Sequence, residues 1–289
     1  MESTEHGHAY DAPAARIATP PAATVIAIAN QKGGVGKTTT TVSLGAALAE
    51  RGLRVLVADL DPQGNASTGL DVRIADGQAS MVDVIVDGAS ASDAMRTTGV
   101  AGLDVLPASL ELASAEVELV SAMARERALI NGLASIRERY HVILVDCPPS
   151  LGLLTVNAFV AADQLLVPVQ CEYYALEGLT GLLRTIGLVE KNLNPGLAIG
   201  GVALTMFDSR TRLAQAVVDD VRAYFGPRAF ETVIPRTVRL SEAPSFAQPI
   251  TVFDPESKGA DAYRSLADEL LARLGLGAVA TARPSGGAA

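Results

Sequence analysis

Ala29-Asn30-Gln31-Lys32-Gly33-Gly34-Val35-Gly36-Lys37-Thr38-Thr39-Thr40 is the stretch around which the chain is organised. It follows Thr24-Val25-Ile26-Ala27-Ile28, an apolar β-branched run that reads as a buried strand, and it precedes Val42 to Leu53, which reads as a helix. A strand, a glycine-rich turn and a helix in that order are the context a phosphate-binding loop requires. Gly33, Gly34 and Gly36 let the backbone curl until successive amides point inward, and the helix adds its positive end to the same anion site. Phosphate is the expected guest, with Lys37 along the β- and γ-phosphates and the Thr38 hydroxyl on Mg²⁺. A chance glycine-rich turn is the competing reading, and the flanking strand and helix weigh against it.

The common pattern G-x-x-x-x-G-K-[ST] is not met, because Gln31 holds the place of its first glycine. The string is instead Lys32-Gly33-Gly34-Val35-Gly36-Lys37-Thr38-Thr39, with an additional lysine at its head. Here the chain resembles the deviant Walker-A ATPases, the group that includes ParA/Soj partition proteins, MinD and the nitrogenase iron protein. The resemblance implies that Lys32 reaches across a homodimer to the partner's nucleotide. A cation supplied in that way acts as an arginine finger does and ties hydrolysis to dimerisation.

The composition suits a parallel sheet covered by helices, since 49% of the 289 residues are hydrophobic, tryptophan is absent and aromatics are few. A formal charge of −9 excludes a generally basic surface, so any nucleic-acid binding has to come from a local patch. Cys147 and Cys171 form no C-x-x-C pair and read as small buried residues of a reduced cytosolic protein. No apolar run reaches the roughly 18 residues a membrane span needs. Residues 1–23 read as a disordered arm, 24–276 as one ATPase domain and 277–289 as a flexible tail. The expected fold is α/β, a single domain with a mostly parallel sheet and helices on both faces.

Further along, Arg54 to Ala58 forms a strand that ends in Asp59-Leu60-Asp61-Pro62-Gln63-Gly64-Asn65. Strand ends of an open parallel sheet gather beside the phosphate loop, although turn chemistry alone also accounts for Asp, Pro, Gly and Asn here. The string is similar to the family's switch I, which implies that Asp61 orients the attacking water and Asp59 supports Mg²⁺ and the switch. Val142 to Asp146 is a weak signal alone; its place after the loop fits Walker B, with Asp146 on Mg²⁺ through a water. Cys147-Pro148-Pro149-Ser150 then resembles switch II. Met81 to Val86 reads as a short helix, Leu103 to Pro107 as a strand, and Glu111 to Arg139 as a long helical stretch with a solvated, mixed-charge face. Strands are expected at Gln164 to Val169 and Ala198 to Met206, and helices to about Asn192 and Phe225. Val233 to Pro244 reads as a strand end and a proline-rich loop, and the resemblance places Met206 and Pro235 against the adenine.

Three relatives compete for the function. A MinD-like membrane ATPase needs a basic C-terminal amphipathic helix, whereas Glu256 to Leu274 carries Asp261, Asp268 and Glu269 beside Arg264 and Arg273. An iron–sulfur carrier needs thiolates spaced to pair, and Cys147 has no such mate. The strings Met206 to Thr211 and Ile234 to Pro244 resemble Soj proteins instead, which implies DNA-binding roles for Arg210 and Arg239. The resemblance implies an ATP- and Mg²⁺-dependent homodimer that binds non-specific double-stranded DNA. It further implies hydrolysis stimulated by a ParB-type partner, a cytoplasmic, nucleoid-associated location and no membrane.

Overall fold

The computed structural model describes residues 22–75, 77–173 and 175–276. The 1–23 arm, up to residue 21, and the 277–289 tail lie outside the described residues. Ala23, assigned to the arm from sequence, is buried, and its amide donates to the Arg137 carbonyl at 3.0 Å.

Among the described residues, one eight-stranded sheet runs through the molecule. Its strands are β1 (Thr24–Ile28), β2 (Val55–Asp59), β3 (Arg96–Thr97), β4 (Leu103–Leu106), β5 (Val142–Asp146), β6 (Gln164–Gln170), β7 (Ala198–Phe207) and β8 (Ala229–Pro235). The spatial order is β3-β4-β2-β5-β1-β6-β7-β8, parallel throughout except for β3, which pairs antiparallel with β4. The expected mostly parallel α/β fold is the observed one. The first helices are α1 (Lys37–Glu50), α2 (Asn65–Gly69), α3 (Met81–Ile85), α4 (Ala91–Ala94), α5 (Leu112–Leu119) and α6 (Ala128–Ala134). They are followed by α7 (Leu153–Ala161), α8 (Thr180–Asn192), α9 (Arg212–Phe225), α10 (Val238–Glu242), α11 (Ile250–Phe253) and α12 (Lys258–Leu274).

Strand alternation explains why both faces are covered. Val25 and Ala27 of β1 pack into one core with α7, α8 and α9, while Ile26 and Ile28 pack into the other with α1 and α12. Helix α12 buries Tyr263, Leu266, Leu270 and Leu271, and its Tyr263 hydroxyl lies 3.2 Å from that of Thr40 on α1. Its apolar side, expected from the sequence to dock, is thus packed within the molecule.

Two expectations need correction. The long helix over Glu111 to Arg139 is broken: α5 stops at Leu119, Ala124 adopts φ 52°, and α6 starts at Ala128. The Arg125 guanidinium donates to the Val120 carbonyl at 2.6 Å, and the Asn157 side chain bonds the Arg125 carbonyl at 2.8 Å and the Leu129 amide at 3.2 Å. These bonds satisfy the backbone groups that the interruption frees. The second correction is at Val238–Glu242, read as loop and observed as α10, where the Thr237 hydroxyl caps the helix through the Leu240 amide at 3.2 Å.

Side chains bond the backbone of β8. Glu269 accepts from the amides of Glu231 at 2.9 Å and Thr232 at 2.7 Å, and from the Thr232 hydroxyl. Arg222 donates to the Glu231 carbonyl at 2.8 Å and Arg273 to that of Ala229 at 2.9 Å.

Candidate nucleotide site

Parallel pairing brings the sequence motifs to one sheet edge. Asp146 at the end of β5 stands opposite Ile28 of β1 on one side and Asp59 of β2 on the other. The glycine loop therefore leaves β1 beside both aspartates. Gly34 (φ 74°) and Gly36 (φ 87°) occupy the left-handed region that side chains disfavour, which is the conformational reason for glycine at these two places. Three bonds hold the loop, two of them to the neighbouring strands β6 and β7. The Asn30 amide donates to the Pro168 carbonyl at 2.7 Å, its oxygen accepts from the Lys32 amide at 3.0 Å, and the Thr205 hydroxyl donates to the Val35 carbonyl at 2.8 Å. Asn30 and Thr205 were not singled out in the sequence. Their partners are 138 and 170 residues away, so only the fold reveals them.

The two lysines of the loop differ in setting. Lys37 is buried; desolvation lowers its pKa, opposed by the charge of Asp146. Lys32 is exposed with Gln31, Gly33 and Gly34 along the rim.

Asp146 is wholly buried, and its two oxygens are held separately: Oδ2 accepts from the Thr38 hydroxyl at 2.7 Å and Oδ1 from that of Thr41 at 2.8 Å. Asp59, also wholly buried, accepts from the Ser67 amide at 2.8 Å and hydroxyl at 2.6 Å through Oδ2, and from the Asp61 amide at 3.2 Å through Oδ1. Burial, opposed by these hydrogen bonds and reinforced by neighbouring aspartate charge, raises both carboxyls above the usual carboxylate range. Asp61 is nearly buried and accepts from the Gln63 amide at 3.0 Å. The expected residues Thr38, Asp59, Asp61 and Asp146 thus converge. The acceptors of Asp59 are occupied by the segment from Asp61 to Ser67 that follows it.

Asp59, Asp61 and Asp146 thus bring three carboxyls near one buried lysine. The donor set fits Mg²⁺, which keeps several waters and takes one or two side-chain oxygens together with phosphates. Among the described residues no group of three or more His, Cys, Asp or Glu is placed to hold a metal ion by itself, so the phosphates and waters would complete the shell. Cys147 is buried beneath Asp146, with its thiol directed to the Val145 carbonyl, and burial raises both cysteine thiols, Cys171 to about 12.

Met206 and Pro235, read as base-contacting, line one cavity of about 360 Å³ with Gly36, Thr39, Leu240 and Pro244. Met206 adopts φ 54°, a strained position for a side-chain-bearing residue at the wall of that cavity. A larger cleft of about 490 Å³ lies beyond the Asp59–Asn65 string, between Gln63 and Glu111, and contains none of the loop residues. Arg210 and Arg239 follow neighbouring strands, β7 and β8. Each is exposed and paired within the chain, Arg210 with Asp208 at 2.7 Å and Arg239 with Glu242 and Asp254, both at 3.1 Å.

Comparison with known proteins agrees with this geometry. A family described as an AAA domain matches residues 23–199. The sporulation initiation inhibitor protein Soj of Bacillus subtilis (strain 168) is 54% identical over 248 residues, covering 86% of this chain and 98% of the relative. The chromosome partitioning protein ParA of Caulobacter vibrioides is 51% identical over 251 residues, covering 86% and 94%. Among solved structures, a Mycobacterium smegmatis protein described as cobyrinic acid a,c-diamide synthase, with bound ADP and magnesium, superposes with a TM-score of 0.77 at 40% identity, covering 88% of this chain and 96% of that one. With its glycine loop, two switch strings and buried aspartates on one sheet edge, the chain belongs to the ParA/Soj family of deviant Walker-A ATPases and is an ATP-hydrolysing enzyme.

Proposed function

We propose that this chain is a DNA-tethered partition switch: ATP closes a homodimer, the dimer holds duplex DNA without regard to sequence, and a ParB-type partner triggers hydrolysis and release. The observation that carries the reading is the contrast between Lys37, buried within the loop, and Lys32, exposed on its rim. Both cations belong to one glycine turn, and the exposed one is available to a second copy. A relative named a chromosome partitioning protein supports a role in segregation, of a chromosome or a plasmid, and a cytoplasmic, nucleoid-associated location belongs to the same reading.

Bound ATP and Mg²⁺ supply the reactive phosphoanhydride and its principal counter-charge. The loop amides and Lys37 hold the β- and γ-phosphates, with Gly33, Gly34, Val35, Gly36, Thr38 and Thr39 forming the cradle. Thr38 and Asp146 hold the metal side, with Asp59 behind them fixing switch I. Asp61 orients the attacking water, and Lys32 of the partner copy neutralises charge that builds up on the transferred group. Met206 and Pro235 take the adenine.

DNA contact falls to Arg210 and Arg239. Because each is a surface residue already paired with a carboxylate, its net attraction for phosphate is small alone, and two patches joined by dimerisation supply the avidity. Such contacts read phosphate and not base edges. The apolar side of α12 is packed on α1 and β8, which favours this reading over membrane attachment. The test is sedimentation of the protein on random-sequence duplex DNA across a salt series, with and without a non-hydrolysable ATP analogue and Mg²⁺, alongside mass determination by light scattering. A dimer and salt-sensitive DNA retention that both require nucleotide are expected. A monomer under saturating nucleotide refutes the proposal.

A further inference from the structure

Asp146 is gripped by two threonines of α1 that stand one turn apart. Thr38, at the site margin, takes Oδ2, while Thr41, fully buried, takes Oδ1. Residues three apart lie on the same helix face, so both hydroxyls reach one carboxylate. Thr41 has a single hydroxyl proton and two acceptors within reach, the carboxylate at 2.8 Å and the Lys37 carbonyl at 3.0 Å. A threonine inside a helix ordinarily returns its proton to the carbonyl four residues back. Here the carbonyl also has the helix amide ladder to serve it, and the Asp146 oxygen is the nearer acceptor, so the stronger bond is to Asp146.

The two threonines are not equivalent once the site is filled. The Thr38 hydroxyl is the group assigned to Mg²⁺; its lone pair would go to the metal while its proton stays with Oδ2, so its position is set by the metal as well as by Asp146. Thr41 is fully buried, and its bond to Oδ1 does not depend on the metal. We infer that Thr41 is a positioning residue for Mg²⁺: it fixes the plane of the Asp146 carboxylate from the side away from the metal, so that Oδ2 faces the metal's water shell. The inference rests on the assignment of Asp146 to the metal side of the nucleotide site. Partners of this kind, one bond removed from the metal, typically change metal affinity by about 10- to 100-fold when removed.

The experiment measures binding of a fluorescent ATP analogue to the full chain as Mg²⁺ is raised, and separately in EDTA. Thr41→Val, which keeps the shape and removes the hydroxyl, is expected to raise the half-saturating Mg²⁺ concentration by about 10-fold or more, with affinity in EDTA unchanged. Thr41→Ser is expected to restore the wild-type requirement. Thr41→Ala serves as the second hydroxyl-free variant should valine prevent folding. An unchanged Mg²⁺ requirement in the hydroxyl-free variants overturns the inference, and so does an equal loss of affinity with and without Mg²⁺, which would mark Thr41 as structural only. Asp146→Asn separates the two levels. If it too leaves the Mg²⁺ requirement unchanged, the site assignment falls and the role of Thr41 with it; if it raises the requirement while Thr41→Val does not, only the role of Thr41 falls.

Discussion

Replacing Ser67 with alanine removes one oxygen that joins three parts of the switch. That hydroxyl donates to buried Asp59 at 2.6 Å and accepts from the Ala108 amide, just past β4, at 3.1 Å. Losing a hydrogen bond to a charged group costs about 1.5–3 kcal/mol, and orphaning a buried amide costs about 1–3 kcal/mol. The two bonds share an atom and do not add fully, so a net loss of about 2–4 kcal/mol is expected. Against a total stability of roughly 5–15 kcal/mol this is a large fraction. In urea, with a slope near 3 kcal/mol per molar, a 3 kcal/mol loss lowers the midpoint by about 1 M. Thr68→Ala, at the exposed neighbouring position, is the control and should stay within about 0.5 kcal/mol of wild type. Equilibrium urea unfolding of the nucleotide-free protein, followed by circular dichroism, reads both. A Ser67→Ala midpoint within error of wild type would mean that the Asp59–Ser67–Ala108 chain carries no energy and that switch I is held by something else.

Lys32→Ala is expected to leave monomer nucleotide binding near wild type while lowering DNA-stimulated phosphate release by about 10³-fold or more, the scale of a charge supplied in trans; wild-type turnover refutes the assignment. Asp208→Asn frees Arg210 from a carboxylate that this arginine holds down near a pKa of about 2. DNA retention should rise in that variant, Arg239→Glu should lower it, and nucleotide-dependent dimerisation should persist in both. Asp59 and Asp146 have native pKa values raised by burial, so the folded protein keeps protons that the unfolded chain releases above a pKa of roughly 4. Their penalty is absent below that pH and grows as pH rises. Metal-free stability should therefore fall from mildly acidic to mildly alkaline buffer, and Asp59→Asn should flatten the slope in urea titrations.

The phosphate loop, the apolar strands and the covered sheet were legible because each is local: a run of β-branched residues, a glycine string, or a helix stripe. Asp59, Asp61 and Asp146 were legible as strand ends, and the parallel register then places them together without further information. Thr41, Ser67, Asn30 and Thr205 were not, since each acts through a partner supplied by another strand or helix. The break after α5 was equally silent. Ser121-Ala122-Met123-Ala124 contains neither glycine nor proline, and the bonds that compensate for the break come from Arg125 and from Asn157 on α7. At α10, proline and charge suggest an open loop, whereas a threonine cap and the place of Leu240 in the wall of the Met206–Pro235 cavity go with one helical turn.

The two margins of the sheet restrict how copies of this chain can join. One ends in β3, only two residues long, and at the other side chains of α9 and α12 bond several backbone groups of β8. Borders blunted in this way discourage strands of separate copies from adding on as an ever-widening ribbon. Stripping the Glu269 carboxylate would reopen that seam, and the price would be read as slow fibrillar precipitation unrelated to nucleotide.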